Sequence, residues 1–106
     1  MGDVFEELQY TRHEGSKNER ALTVFSLSTC GFCKRALRFL ENHDFSYRFI
    51  HLDEISPERK REVKDTLRAR FNTSPIFPVL LVDGKRALTG FTEAQWRKTL
   101  GLPENE

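Results

Sequence analysis

A single α/β domain, in which a four-stranded mixed sheet carries helices on both faces, is the fold this sequence predicts, and three observations predict it. Short apolar runs at 22–27 and 79–82 have the composition of strands buried on both faces. Stretches with apolar residues at helical spacing occupy 34–43 and 57–71, each between strand-like segments. Asp83-Gly84, set between two runs near the C-terminus, is the strongest short signal for a hairpin. Cys30-Gly31-Phe32-Cys33 lies where the first strand gives way to the first helix, and the rest of the chain reads as what holds and presents that pair.

Composition narrows the class. A chain of 106 residues supports one core but not two. Its 38% hydrophobic and 31% charged residues describe a core with a well-solvated surface, and nine phenylalanines point to a core built largely from rings. A net charge of +1 gives no electrostatic ground for nucleic-acid or membrane binding. No apolar run approaches the roughly 20 residues needed to span a bilayer. The opening residues are acidic where a secretory signal would be basic and then apolar, and Gly2 lacks the Ser or Thr that myristoylation requires. Both cysteines sit in one motif, which points to a reducing compartment, the cytoplasm by default, and to a bond that is made and broken.

Residues 1–20 are polar and read as an N-terminal extension, flexible or loosely docked, with Gly15 to Asn18 as its most flexible part. Val4, Phe5 and Leu8 would share one side of a short helix that opens at Asp3, with Glu6 as capping partner. Ala21 to Leu27 is the first strand, and Ser28 and Thr29 stand where capping oxygens are useful. In the helix that follows, Cys33, Ala36, Leu37 and Leu40 form the apolar stripe, with Lys34, Arg35, Arg38 and Glu41 opposite. Cys33 should therefore be shielded while Cys30, just ahead of the first turn, faces solvent. A helix N-terminus also stabilises negative charge, which favours the thiolate of the first cysteine.

Asn42 to Asp44 ends that helix. Phe45 to Leu52 alternates Phe45, Tyr47 and Phe49 against Ser46, Arg48 and Ile50, a second strand joined to the first by a right-handed parallel crossover. Ser56-Pro57 is an N-cap with proline at the first helical position. The helix it opens runs to about Phe71 and buries Val63, Leu67 and Phe71. Its basic residues are interspersed with Glu58, Glu62 and Asp65, so a solvated face accounts for them better than nucleic acid. After a loop at 72–75, Phe77-Pro78 enters the strand Val79 to Val82, and Lys85 to Leu88 returns antiparallel. Thr92 to Leu100 is the last helix, with a capping box from Thr92 and Gln95 and a hydrophobic staple from Phe91 and Trp96. Gly101 and Pro103 stop it. The order is β-α-β-α-β-β-α.

Two cysteines separated by two residues at a helix start can join as a disulfide, which marks a dithiol–disulfide oxidoreductase. Zinc ligation is the competing use. His43 and His51 are the nearest candidates and do not match the finger spacing, so they read as ordinary histidines and no metal site is expected. Phe32, between the cysteines, reads as an exposed apolar contact for partners.

That order of elements, with Cys-x-x-Cys after the first strand, resembles the thioredoxin fold in its minimal glutaredoxin-like form. The resemblance runs from Leu22 to about Leu102, so residues 21–106 are taken as a glutaredoxin-like domain. Three motifs carry it: Ser28-Thr29-Cys30-Gly31-Phe32-Cys33-Lys34, Phe77-Pro78-Val79, and Gly90-Phe91-Thr92-Glu93. It implies Cys30 as attacking thiol, Cys33 as resolving thiol and Pro78 as a cis-proline facing the pair, with Pro75 the rival. It also implies that Phe32, Phe77, Pro78, Gly90, Phe91 and Thr92 contact substrate or partner. The implied cofactor is none beyond the redox-active disulfide itself, and the implied partners are disulfide-containing proteins met by a monomer.

Two departures bear on the electron donor. Glutaredoxins usually carry Lys or Arg three residues before the first cysteine, where this chain has Leu27. They usually have two glycines before the last helix, where it has Thr89-Gly90. The Gly-Phe pair looks like the redoxins that serve ribonucleotide reductases. The expected donor is therefore a thioredoxin-reductase-like or ferredoxin-linked reductase rather than glutathione. Glutathione dependence is one alternative. An iron–sulfur carrier bridged by glutathione, suggested by the resemblance of Gly31 to the Cys-Gly-Phe-Ser glutaredoxins, is another.

Overall fold

The computed structural model describes residues 3–103. Gly2, and the last three residues of the expected domain, lie outside the described residues. Five strands alternate with three helices: β1 (Thr11–His13), β2 (Leu22–Ser26), α1 (Gly31–Asn42), β3 (Tyr47–His51), α2 (Pro57–Phe71), β4 (Val79–Val82), β5 (Arg86–Thr89) and α3 (Glu93–Leu100). The sheet order is β1-β3-β2-β4-β5, with β2 and β3 parallel and the other pairs antiparallel. The expected four strands and three helices are all present, within a mixed sheet that has helices on both faces.

The alternation along each strand divides the core in two. Leu22, Val24, Tyr47, Leu80, Val82 and Leu88 point to α1 and α3, where they meet Ala36, Leu40, Trp96 and Leu100. Phe25, Ile50, Val79 and Leu81 point the other way, onto Val63 and Leu67 of α2. All five residues of β2 are buried, as a central strand with both faces covered requires. In α1 the buried stripe is Cys33, Ala36, Phe39 and Leu40, so Phe39 rather than Leu37 completes the face.

The ends of α2 follow their sequence signals, whereas α1 is capped by Cys30 rather than by Ser28 or Thr29. Ser56 caps α2 by accepting the Arg59 N–H at 3.2 Å, with Pro57 first in the helix, and Asn72 closes it in the left-handed region. Asp83 and Gly84 both have positive φ, the geometry of the predicted tight hairpin. The capping box at α3 does not form, for Thr92 is the N-cap but its side chain accepts no hydrogen bond. The staple does form: Phe91 and Trp96 meet edge-on with ring centroids 5.0 Å apart. Packing of two large rings, not a hydroxyl, sets the entry to this helix.

The N-terminal segment is the main correction. Its composition predicts a flexible or loosely docked extension beside a sheet of four strands. Instead β1 adds a fifth strand by pairing with β3, Thr11 opposite Phe49 and His13 opposite Tyr47. Before it, Val4–Glu7 forms one 3-10 turn capped by Asp3, whose carboxylate accepts the Phe5 N–H at 3.0 Å. Phe5 is only 3% exposed and packs on Phe25, centroids 5.1 Å apart. Glu6, expected to complete that cap, instead holds Arg48 of β3 at 2.9 Å. Asp3 with Arg70 and Glu7 with Arg59 add two further ties to α2. Exposed ion pairs contribute about 0–1 kcal/mol each, so burial of the Phe5 ring does more than any one of them to hold the segment down.

The stretch expected to be most flexible is also held. Lys17 N–H donates to the Asp44 carbonyl and Ser46 N–H to the Lys17 carbonyl, each at 2.9 Å. Gly15 lies so close to this turn that a Cβ would stand 2.3 Å from the Asp44 carbonyl oxygen. Only glycine permits that approach.

Candidate active site

The register of the sheet gathers three of the predicted motifs at one end of its strands. Phe25 pairs with Val79 and Val79 with Thr89, so the residues just beyond are Ser26, Pro78 and Gly90. The loop that carries the cysteines leaves the sheet at Ser26, beside Pro78. The Phe77-Pro78 bond is cis, and Pro78 is fully buried. Gly90, at φ 75°, donates its N–H to both the Ile76 and Pro78 carbonyls at 2.8 Å. Its own carbonyl accepts from Trp96 Nε1 at 3.1 Å. Gly90 thus couples the Pro78 loop to the start of α3, and Trp96, wholly buried, anchors that coupling.

Cys30 is the N-cap of α1. Its Sγ accepts the backbone N–H of Cys33 at 3.2 Å, in the position that Ser, Thr or Asp oxygens usually fill. The sulfur is half-buried, reachable from solvent, and at the positive end of a 12-residue helix. A donor N–H and the positive end of the helix dipole both face the sulfur there. One turn on, Cys33 has no exposed surface. Burial, helped by its hydrogen bond with Cys30, pushes the Cys33 thiol up to about 11. Both cysteines are free thiols, so the pair stands in its reduced form. The asymmetry expected from spacing alone is therefore present.

A further group fixes the loop in front of Cys30, and no local sequence pattern announces it. Ser28 donates its N–H to Asp53 Oδ1 at 2.9 Å and its hydroxyl to Asp53 Oδ2. Asp53 follows β3 and is 25 residues away in sequence, beyond the reach of any local pattern. These bonds hold its carboxyl below the ordinary carboxylate range. The clamp is therefore in place at neutral pH and is lost only as pH falls through that lowered value. Replacing Asp53 by alanine is expected to slow disulfide reduction roughly tenfold through misplacement of Cys30, with the circular dichroism spectrum unchanged. Asparagine, which can still accept and donate, should restore part of the rate; steady-state kinetics on the three proteins checks this.

The other predicted contacts divide. Phe32 is 59% exposed, with the Arg35 guanidinium 5.6 Å from its ring, and Ile76 beside the Pro78 loop is 62% exposed. Phe77 is half-buried against the α2 side of the core, and Lys64 Nζ lies 5.8 Å from its ring. Phe91 packs on Phe39 and Trp96, with centroids 5.7 and 5.0 Å away, so it belongs first to the core. Thr92 is exposed. His43 lies against Phe39 at 4.6 Å and His51 against Phe49 at 5.4 Å, each within its own part of the fold. Among the described residues no group of three or more His, Cys, Asp or Glu is placed to hold a metal ion.

The family model for glutaredoxin matches residues 22–87, which is more than half of the chain. The chain belongs to the glutaredoxin family. Its chemistry is thiol–disulfide exchange, and the matched span holds Cys30, Cys33 and Pro78. Similar solved structures extend the likeness in this glutaredoxin beyond that span. The glutaredoxin of Methanosarcina mazei Go1 is 26% identical with a TM-score of 0.76, covering 88% of each chain. The methanoredoxin of Methanosarcina acetivorans is 27% identical with a TM-score of 0.75, over 87% of this chain and 96% of that one. The glutaredoxin of Archaeoglobus fulgidus is 26% identical with a TM-score of 0.61, over 76% and 85%. No curated protein sequence matches. Among the described residues no helix is long and apolar enough to cross a membrane.

Proposed function

We propose that this glutaredoxin works as a cytoplasmic monomer that reduces protein disulfides through Cys30 and Cys33, with electrons supplied by a reductase protein rather than by glutathione. The observation that carries the redox reading is the half-buried Cys30 sulfur, capped by the Cys33 N–H at 3.2 Å, one turn from a wholly buried second thiol.

The thiolate of Cys30 attacks one sulfur of the substrate disulfide. That S–S bond breaks, the departing substrate sulfur takes a proton, and a mixed disulfide forms on Cys30. Cys33 then gives up its proton and attacks the Cys30 sulfur. The Cys30–Cys33 disulfide forms, and the second substrate sulfur leaves as the thiolate and is protonated. Two electrons have passed to the substrate, and the donor returns two to reopen the internal disulfide. Burial keeps the Cys33 thiol protonated up to about 11, so it does not compete with Cys30 for the first attack at neutral pH. Exposed Phe32 and Ile76 offer apolar contact to a protein carrying the disulfide.

The donor assignment rests on the surroundings of the pair. Leu27 is half-buried against the core under α2, so the loop before Cys30 brings no cation toward a glycyl carboxylate. One observation favours glutathione instead: Lys64 reaches from α2 to the ring of Phe77, next to Pro78. A donor exchange with one protein disulfide separates them. Glutathione with its reductase is expected to support turnover several-fold more slowly than a thioredoxin-type or ferredoxin-linked reductase. Equal or faster turnover with glutathione would reverse the assignment.

A further inference from the structure

We propose that the buried hydroxyl of Ser26 donates a hydrogen bond to the Cys33 sulfur as that sulfur ionises, and so speeds the second step of the exchange. The inference rests on the oxidoreductase reading above and adds to it a group that acts on a reacting atom. Ser26 is the last residue of β2 and has no exposed surface. Side chains alternate along a strand, and Leu22 and Val24 point to the α1 side, so Ser26 points there too. Only residues 27–30 separate the end of β2 from the first turn of α1, which holds Cys33 at the start of its buried stripe. The hydroxyl is not committed elsewhere. Its bond to the Leu27 carbonyl is 3.4 Å long, beyond the usual range for an O–H donor, and a hydroxyl proton turns to suit its acceptors. Phe25 and Leu27 on either side are apolar, and an apolar residue between them would avoid the cost of burying a hydroxyl.

The Ser26 hydroxyl and the Leu27 N–H both bond the Cys33 sulfur and favour its anion, against the burial that disfavours it. While Cys30 is a free sulfur it works with burial, by hydrogen bond and by charge. Once Cys30 is joined to substrate it carries no charge, and the two donors from the end of β2 remain. The titratable side chains around the site are Cys30 at the head of the same helix, the exposed Lys34 next to Cys33, and His51, which pairs with Ser26 on β3 and shares its face. β4 contributes Pro78, which has none. In the step itself Cys33 loses its proton to solvent and its thiolate attacks the Cys30 sulfur. The Cys30–Cys33 bond forms, the bond from Cys30 to substrate breaks, and the substrate sulfur leaves with the electron pair and takes a proton. Ser26 keeps its own proton throughout. A donor already in place costs no reorganisation when the charge appears.

The test separates the two steps on the reduced protein with dithiobis(nitrobenzoate), an aromatic disulfide. One coloured thiolate is released when Cys30 attacks, and a second when Cys33 displaces the half held on Cys30. In Ser26→Ala the first release is expected to keep its rate, while the second slows about tenfold at neutral pH. The pH needed for a given rate of second release should rise by about one unit, the same tenfold. Ser26→Thr, which restores the hydroxyl, should recover most of the rate, and the alanine effect should persist in a His51→Gln background. Equal second-release rates in the wild-type and Ser26→Ala proteins would overturn the proposal, as would a threonine variant no faster than the alanine one. Slowing of both releases together, the mark of a packing role, would also overturn it, and so would loss of the effect once His51 is replaced. A wild-type protein that releases only one thiolate would instead remove the resolving role of Cys33, and with it the reading on which this inference rests.

Discussion

Replacing Cys30 by serine is expected to lower disulfide reduction by on the order of a thousandfold or more, to the uncatalysed background. A hydroxyl at the N-cap keeps the hydrogen bond from the Cys33 N–H but is not ionised near neutral pH, so the fold survives and the nucleophile does not. Serine at position 33 should have the opposite signature. Cys30 still attacks, but nothing displaces the captured sulfur, and the protein accumulates as a mixed disulfide. Non-reducing electrophoresis and mass spectrometry distinguish the two outcomes. If the Cys33→Ser protein completes rapid turnover of protein disulfides without added thiol, the resolving role of Cys33 is wrong.

The largest effect on stability is expected at Trp96. It has no exposed surface, meets Phe91 edge-on at 5.0 Å, and bonds the Gly90 carbonyl through Nε1. Truncation to alanine removes the ring from the core and leaves that carbonyl unpaired, a loss of about 3–5 kcal/mol. Against a typical total of about 5–15 kcal/mol this lowers the melting temperature by roughly 15–30 °C. Trp96→Phe keeps most of the packing and should cost less. Because Trp96 is the only tryptophan, unfolding is followed by circular dichroism rather than fluorescence. Activity should fall further than the unfolded fraction accounts for, since Gly90 also holds the Ile76 and Pro78 carbonyls.

Much of this was legible in the sequence because it depends on local pattern. Strand composition, the stripe that begins at Cys33, proline at the start of α2 and Asp83-Gly84 each act within a few residues. Three features were not legible, for distinct physical reasons. Thr11-Arg12-His13 carries no apolar alternation; it becomes a strand because the open edge of β3 offers backbone partners. The segment before it is fixed by one aromatic ring, Phe5, with no periodic face to announce it. The Ser28–Asp53 clamp joins residues 25 apart in sequence, which no local pattern can announce. Thr92 shows the reverse error. A capping pattern is present, but the packing of Phe91 on Trp96 sets the helix entry, and the hydroxyl makes no capping bond.

Limited alkylation of the reduced protein, followed by peptide mapping, tests the central asymmetry most directly. At neutral pH iodoacetamide should label Cys30 almost alone. Cys33 should begin to react only as pH rises toward the value of about 11 to which burial pushes its thiol. Labelling of Cys33 at or above the rate of Cys30 at neutral pH would contradict the account.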